Sequence, residues 1–570
     1  MATASNLGTA TRYRRITRAC DFCHRRGLKC RAAAESPANG GPSSCLTCTE
    51  YRRECTWNRQ PKKRGTKSRI VTQRRQQDDA SIRTGNSPFG TLEPPAVINV
   101  AAASSSIGSR KIITALLDAY LDSIHPIFPF FCEREIWVGW RDGTFPADAS
   151  DYMSLMCMCA LSAQHVGSGA LFSDDVPTVE SSLLAQDYLA EALRLVPLDF
   201  KGPCINQIRS YGYLSLLGAQ TGNYGMAHKY LGLYHGMCAH YNLHDESQWP
   251  AGISECEIEV RRRLWWIMYR LEVHTACVHG SVVRCSEAQC FVGYPAGLHH
   301  PPFIPGRDGE FEDWFKGWNA TTDLYRVLEH VITDFRSRRR PQSSILGGGH
   351  VKAPAASVNE KLTKIQEEIL PHFGSASSRS SDSGRNRCGF QASNILCTIH
   401  LARMITISGE SNFHSACQTA HDMVESMSTI PIEYIRAIGS PLLQQLAGVG
   451  HMLAGIASKH QCSHADRQQF RLVLTSMIRF LSQLKAHNST AATEELRLAA
   501  HLSEADRNWS LANAETEALD DGATYDGLAW PDHLQNLVEE MSDDRLFFSM
   551  HLERSLAWPF EPRDEEEPES

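Results

Sequence analysis

Six cysteines near the start of the 570-residue sequence form a pattern that occurs twice. Each half has the spacing C-x2-C-x6-C, and the second half begins 25 positions after the first. A C-x2-C pair presents two thiolates to one metal ion from a tight turn, and a third cysteine seven positions later can return to the same side of a helix. The pattern therefore indicates a metal centre bound by Cys20, Cys23, Cys30, Cys45, Cys48 and Cys55.

The number of thiolates indicates the type of metal centre. Two separate four-ligand zinc sites would need eight ligands, but six are enough if two thiolates bridge both metal ions. The duplicated spacing then implies two short helices, related by an approximate two-fold axis, around two Zn2+ ions per chain. Six thiolates and two Zn2+ ions leave the cluster negatively charged, and nearby Arg and Lys side chains offset that charge.

Other interpretations of the cysteines stay open at this stage. Three disulfides would suit a small secreted domain, but the N-terminal residues lack the apolar stretch of a secretory signal. A redox-active C-x-x-C would need a βαβ context, and the flanks here are basic and rich in turn residues. A RING or ribbon would need eight ligands, and His24 could supply one only by breaking the repeat. A binuclear zinc cluster is the favoured interpretation.

The charge of the chain is divided unevenly. Residues 1–75 contain 18 Lys and Arg against 4 Asp and Glu, a balance of +14. Because the net charge of the whole chain is −7, the remaining residues have a net charge of −21. A basic head favours a polyanionic partner, and phosphate neutralisation supplies most of the non-specific affinity for nucleic acid. No apolar run approaches the roughly 18–20 residues that a membrane span needs, so we expect no membrane partner.

The cysteine-rich segments "RACDFCHRRGLKC" and "CLTCTEYRREC", followed by "TWNRQPKKRGTKSR", resemble the fungal Zn2Cys6 (binuclear cluster) transcription factors. The resemblance implies that Cys20 and Cys45 bridge both zinc ions and that the module docks in the major groove of double-stranded DNA. It also places Arg26 and Lys29 on the family's basic positions. Gly27 stands where the family commonly has a base-contacting lysine, which makes the target triplet less predictable.

Basic residues around the cluster are the candidate DNA contacts. The guanidinium of Arg26 can pair bidentately with guanine, whereas Lys29 is better suited to phosphate. Further candidates for phosphate contacts are Arg18, Arg25, Lys62, Lys63 and Arg64. The basic run that holds the last three is also typical of a nuclear import signal, so we expect the protein in the nucleus.

Beyond residue 110 the apolar residues recur at helical spacing, first over 113–124. Further helical stretches are predicted at 183–195, 207–243, 255–278, 321–336, 391–408, 416–427, 441–458 and 467–486. The segment "ECEIEVRRRLWWIMYRLEVHT" and the stretch before it resemble the fungal-specific regulatory (middle homology) domain. We expect Trp265 and Trp266 in the core, salt bridges at Arg261–Arg263, and buried thiols at the other 13 cysteines.

The expected architecture is a small binuclear-zinc cluster module, with two short metal-bound helices, and a large all-α regulatory domain, joined by a disordered linker. The expected domains are a basic disordered arm (1–17), the Zn2Cys6 DNA-binding domain (18–58), a basic and then Ser/Pro/Ala-rich linker (59–110), the all-α domain (111–510) and an acidic C-terminal segment (511–570). The breaks at 337–357 and 374–387 are predicted to be exposed or disordered loops.

The expected function is sequence-specific regulation of RNA polymerase II transcription, as an activator whose acidic C-terminus contacts the transcription machinery. A repressor or a small-molecule-gated regulator acting through the helical domain is the alternative. An enzyme with a DNA-targeting zinc module is a remote one, because the sequence lacks G-x-S-x-G, H-E-x-x-H, G-x-G-x-x-G and Walker A motifs. Residues 76–110 show no sustained heptads and therefore no clear coiled coil. Whether the protein forms a homodimer stays open.

Overall fold

The computed structural model describes residues 19–26, 28–31, 44–58, 109–170, 181–197, 204–296, 314–339, 355–378, 383–409 and 412–517. The chain divides into two compact units, Met1–Pro95 and Ala96–Ser570. Over the described ranges the secondary structure is helical, with one isolated β-bridge between Asp245 and Phe291. None of the helices described there is long and apolar enough to cross a membrane.

The first unit contains two five-residue helices, α1 (Asp21–Arg25) and α2 (Leu46–Glu50). Each helix begins directly after a cysteine whose thiol accepts a backbone N–H from the first turn: Cys20 from Cys23 and Cys45 from Cys48. The two short helices are confirmed, but Cys30 does not return on α1 as the helical spacing suggested. The helix ends five residues earlier, because the N–H of Leu28 bonds to the carbonyl of Cys23 and closes the turn.

The described part of the second unit is built from fifteen α-helices. They are α3 (Arg110–Ala119), α4 (Glu133–Asp142), α5 (Ala149–Gly167), α6 (Ser181–Arg194), α7 (Ile205–Gln220), α8 (Tyr224–His240), α9 (Glu255–His279), α10 (Trp314–Arg339), α11 (Ala355–Phe373), α12 (Ser383–Ser408), α13 (Phe413–Ser428), α14 (Ile432–Ile438), α15 (Ser440–Ala457), α16 (His464–Ser482) and α17 (Ser489–Glu517). A π-helical turn, Tyr120–Ile124, follows α3 directly.

Side chains at the helix ends explain several of these boundaries. Asp148 accepts the N–H groups of Ser150 and Asp151 and so caps α5, since a carboxylate satisfies N–H groups that have no partner within the helix. Ser254 caps α9 in the same way through the N–H of Glu257. Helix α9 ends at Gly280, whose φ of 67° lies in the left-handed region that glycine adopts without steric penalty.

The core of the second unit is formed by helices that pack around α5, α7, α9 and α12. Trp265 and Trp266, on α9, are each 4% exposed, so the prediction that they belong to the core is confirmed. Their indole N–H groups donate to Cys290 Sγ and to the carbonyl of Gly293, which leaves neither polar atom unpaired in the interior. Helix α9 thereby holds the chain segment that follows it.

Some predicted boundaries are wrong. The helical stretch predicted at 207–243 is divided into α7 and α8, because Gly222 turns the chain with a φ of 71° and Asn223 caps the second helix. Helix α12 begins inside the loop predicted at 374–387, where Arg387 pairs bidentately with Glu133 of α4. Helix α11 was missed, and its first residues lie within the loop predicted at 337–357.

Several sequence predictions fall outside the described residues. These are the basic arm, Arg18, Gly27, the linker up to residue 108 with Lys62, Lys63 and Arg64, and the chain after residue 517. Helix α17 runs to Glu517 and therefore extends into the segment 511–570 that was assigned to the acidic C-terminus.

Candidate metal centre and DNA-binding surface

The six cysteines of the first unit form two groups of four, and in each group all Sγ atoms lie within 4.8 Å of one another. The groups share two members, Cys20 and Cys45, which are both buried. Two tetrahedra with a common edge are the geometry that two zinc ions with two bridging thiolates require. The remaining members are Cys23 and Cys30 in one group and Cys48 and Cys55 in the other.

The spacing of the sulfur atoms also suits zinc. The Sγ atoms of Cys20 and Cys45 are 3.8 Å apart, those of Cys23 and Cys45 are 3.7 Å apart, and those of Cys20 and Cys48 are 3.5 Å apart. Zn–S bonds of about 2.3 Å place the thiolates of a tetrahedral site about 3.8 Å from one another. The thiols therefore fit the ions without rearrangement of the backbone.

The two halves of the cluster exchange equivalent backbone hydrogen bonds. The N–H of Asp21, the first residue of α1, donates to the carbonyl of Thr56 at 2.9 Å. The N–H of Leu46, the first residue of α2, donates to the carbonyl of Arg31 at 2.9 Å. In both cases the acceptor directly follows the third cysteine of the opposite half. This exchange confirms the approximate two-fold relationship that the sequence repeat predicted.

Two polar side chains support that exchange, and sequence reasoning missed both. The carboxylate of Asp21 accepts the Thr56 hydroxyl at 3.1 Å and the N–H of Asn58 at 2.7 Å. The hydroxyl of Thr47 is buried and donates to the carbonyl of Lys29 at 2.8 Å. Asp21 lies one position after Cys20, and Thr47 lies two positions after Cys45. Proximity to the first cysteine of each half was therefore the signal available in the sequence.

The thiols of the cluster differ in how readily they ionise. Burial raises the pKa of Cys20, but the N–H of Cys23 and the neighbouring thiols outweigh it and lower the pKa to about 6. Burial and the adjacent thiols raise the pKa of Cys23 to about 12 and that of Cys30 to about 11. Six such thiols can all ionise side by side only if cationic charge lies among them, and two Zn2+ ions would provide it.

Three of the proposed DNA contacts lie together on the surface at the end of the first helix. Arg25 is the last residue of α1, Arg26 is its C-cap, and Lys29 follows three residues later. All three side chains are exposed, and so is His24, as expected for a histidine on a basic face rather than a metal ligand. Arg25, Arg26 and Lys29 are therefore all accessible to a partner at the surface of the first unit.

The second half presents basic residues that the sequence analysis did not select. Arg52 and Arg53 are exposed after the end of α2. Arg52 has a φ of 49°, in the left-handed region, and it occupies the position of the repeat that Gly27 occupies in the first half. Arg31, also exposed, pairs with Glu50 at 2.6 Å, so its guanidinium is engaged within the module.

In the second unit, two of the three consecutive arginines of α9 form the salt bridges that the sequence predicted. Arg261 pairs with Glu257, and Arg262 pairs with Glu246 and Glu259. Arg263 is different: it is 3% exposed, and its guanidinium donates to the carbonyl of Phe131 instead of to a carboxylate.

Comparison with known proteins identifies two domains in the chain. A family model described as the fungal Zn(2)-Cys(6) binuclear cluster domain matches residues 18–65, and the fungal specific transcription factor domain matches residues 117–296. An uncharacterized transcriptional regulatory protein of Schizosaccharomyces pombe is 24% identical over 280 residues, which are 45% of this chain and 37% of that relative. The cluster domain binds two zinc ions through six cysteines, in agreement with the two four-thiol groups found here.

Proposed function

We propose that this chain, which carries both domains of a fungal Zn2Cys6 transcription factor, is a sequence-specific DNA-binding regulator of RNA polymerase II transcription that acts in the nucleus. One observation carries the proposal most directly. Two four-thiol groups share Cys20 and Cys45, and exposed basic side chains lie beside them. A zinc-folded module with a basic surface is suited to the major groove.

In this proposal the DNA-binding domain spans residues 18–58, and its metal ligands are Cys20, Cys23, Cys30, Cys45, Cys48 and Cys55. Two bound Zn2+ ions would supply the cross-links that fold so small a module, since it has little apolar core of its own. The chain's own contribution is the exchange of backbone hydrogen bonds between the halves, which holds α1 and α2 in a fixed orientation.

Sequence discrimination is assigned to Arg26, because its exposed guanidinium at the end of α1 can donate two hydrogen bonds to a guanine edge. Arg25 and Lys29 are assigned to phosphate, which fixes the register of the module on the duplex without reading bases. Arg18, Lys62, Lys63 and Arg64 are assigned to further phosphate contacts on the basis of their charge.

The remaining parts of the chain have proposed roles in regulation. Residues 111–510 form the helical regulatory domain, residues 59–110 link it to the cluster, and residues 511–570 contact the transcription machinery as an activation region. Acidic segments with interspersed aromatic residues can fold on a partner in this way. Removal of residues 518–570, which spares α17, should lower reporter expression, and increased expression would identify a repressor instead.

Selection of bound sequences from random DNA tests the central proposal. The full chain should enrich one sequence motif, and the same chain with Cys45→Ser should enrich none, because Cys45 belongs to both four-thiol groups. The motif also reports whether one or two half-sites are bound, and therefore whether the protein acts as a dimer. Equal recovery of all sequences by the zinc-loaded wild-type chain would contradict sequence-specific binding.

A further inference from the structure

Three side chains with metal-binding atoms meet in the second unit, where helices α4 and α9 begin. Cys132 directly precedes α4, Glu135 lies in the first turn of α4, and Cys256 lies in the first turn of α9. The two Sγ atoms and a carboxylate oxygen all lie within 4.8 Å of one another. Glu135 and Cys256 are 121 positions apart in the sequence, so the fold brings the beginnings of two distant helices together at this group.

The thiols of this group are turned toward each other and toward the carboxylate. Cys256 Sγ donates to Glu135 Oε1 at 3.1 Å, and it is also hydrogen-bonded to the thiol of Cys132. Cys132 occupies the N-cap position of α4 but makes no capping bond with its side chain. Cys204 occupies the same position on α7, also without a capping bond, yet it belongs to no such group among the described residues.

The charge around the group favours a bound divalent cation. The Sγ atoms of Cys132 and Cys256 and a carboxylate oxygen of Glu135 all lie within 4.8 Å of one another, so three negative charges would repel there unless a cation lay between them. Arg263 lies close by: its guanidinium donates to Phe131, the residue before Cys132, and the charges of both thiols act on it. Its Nε has no hydrogen-bond partner among the described residues, and it forms no ion pair there.

We propose that Cys132, Glu135 and Cys256 bind one zinc ion, distinct from the two ions of the N-terminal cluster. Two thiolates and one carboxylate form a ligand set of the kind that zinc accepts, whereas magnesium and calcium prefer oxygen ligands alone. The cation and Arg263 together balance the three negative charges of the ligands. Glu135 is exposed and Cys256 is partly exposed, which leaves a path for the ion and a fourth position for water.

Zinc bound in this way would join the beginnings of α4 and α9 within the region that matches the fungal specific transcription factor domain. The helical domain would then change in stability with the supply of zinc, independently of the cluster. The inference does not depend on the proposed DNA-binding function, because the three ligands lie outside residues 18–58.

Native mass spectrometry of the full chain at saturating zinc tests the proposal, because it counts bound ions directly. The wild-type chain should hold three zinc ions, two in the cluster and one at this site. Cys256→Ser and Glu135→Gln should each reduce the count by one ion. Zinc should raise the thermal unfolding midpoint of the helical domain in the wild type but in neither of these two variants. Cys204→Ser is the matched control and should keep all three ions.

Three outcomes would overturn the proposal. One is a wild-type chain that holds two ions at saturating zinc. Another is a third ion that survives Cys256→Ser, since it would then bind elsewhere on the surface. A third is a wild-type chain whose mass is lower by two hydrogen atoms because Cys132 and Cys256 form a disulfide, and which binds no ion at this site after the disulfide is reduced. A chain that lacks only the two cluster ions would instead contradict the cluster assignment.

Discussion

The Sγ atoms of Cys20 and Cys45 lie 3.8 Å apart, and these two cysteines are the members common to both four-thiol groups of the N-terminal unit. Each also precedes a short helix and accepts an N–H from its first turn. The same two residues therefore fix the start of each helix and the common edge of the two candidate zinc sites. Metal binding and the folding of the module are coupled through them.

Substitution of a shared cysteine should have a larger effect than substitution of an unshared one. Cys45→Ser removes a ligand from both groups, so it should abolish binding of both cluster zinc ions and binding of DNA. Cys30→Ser removes a ligand from one group only and should leave one ion in place. Zinc counts on the two full-length variants check this prediction, and a cluster ion retained by Cys45→Ser would show that Cys45 does not bridge the ions.

Arg26→Ala should weaken sequence discrimination by about 1–3 kcal/mol, because one bidentate contact to guanine is worth roughly that much. Competition between the selected site and a site with one base changed measures the effect. Arg31→Ala is the control, since that exposed guanidinium is already paired with Glu50. Unchanged discrimination in Arg26→Ala would assign the base contact to another residue.

Lys29→Ala should weaken binding to all DNA sequences by a similar factor, since a phosphate contact carries no base information. The loss of one cationic contact should also reduce the slope of log affinity against log salt concentration by about one. Binding titrations at several salt concentrations, with the selected site and with an unrelated duplex, measure both quantities. A loss confined to the selected site would instead make Lys29 a base contact.

The cluster was predictable from the sequence because its ligands are close together in the chain and repeat at a constant offset. Each half closes its own turn, and the repeat implied the two-fold relationship that Asp21 and Leu46 show in their hydrogen bonds. The ends of the helices were less predictable. They depend on single bonds such as that from Leu28 to the carbonyl of Cys23, which no periodicity marks.

The helical unit shows why the remaining elements were harder to predict. Helix α5 was missed because most of its length is buried on all sides, so it has no apolar stripe with a polar face opposite. The group formed by Cys132, Glu135 and Cys256 was missed for a different reason. Its members lack metal-ligand spacing in the sequence, and contact between distant helices creates the site.

Arg52→Gly should stabilise the cluster module by about 0.5–1 kcal/mol. A non-glycine residue in the left-handed region is disfavoured by roughly 1–2 kcal/mol, and the greater freedom of glycine in the unfolded chain offsets part of the gain. Arg53→Gly removes the same charge without relieving a positive φ and should destabilise the module. Unfolding of both variants in denaturant at fixed zinc checks the prediction, and equal shifts would exclude a conformational cause.

The helical unit should lose stability as the pH falls from about 6.5 to about 4, and His165 should account for part of the loss. Burial lowers the pKa of His165 from 6.5 to about 4, so in that range the unfolded chain binds a proton that the folded chain does not. Stability from this residue is complete above the unfolded pKa and falls by up to about 3 kcal/mol at pH 4. His165→Phe should therefore flatten the profile of unfolding free energy against pH. Parallel profiles for His165→Phe and the wild type would show that His165 binds its proton equally well in the folded and the unfolded chain.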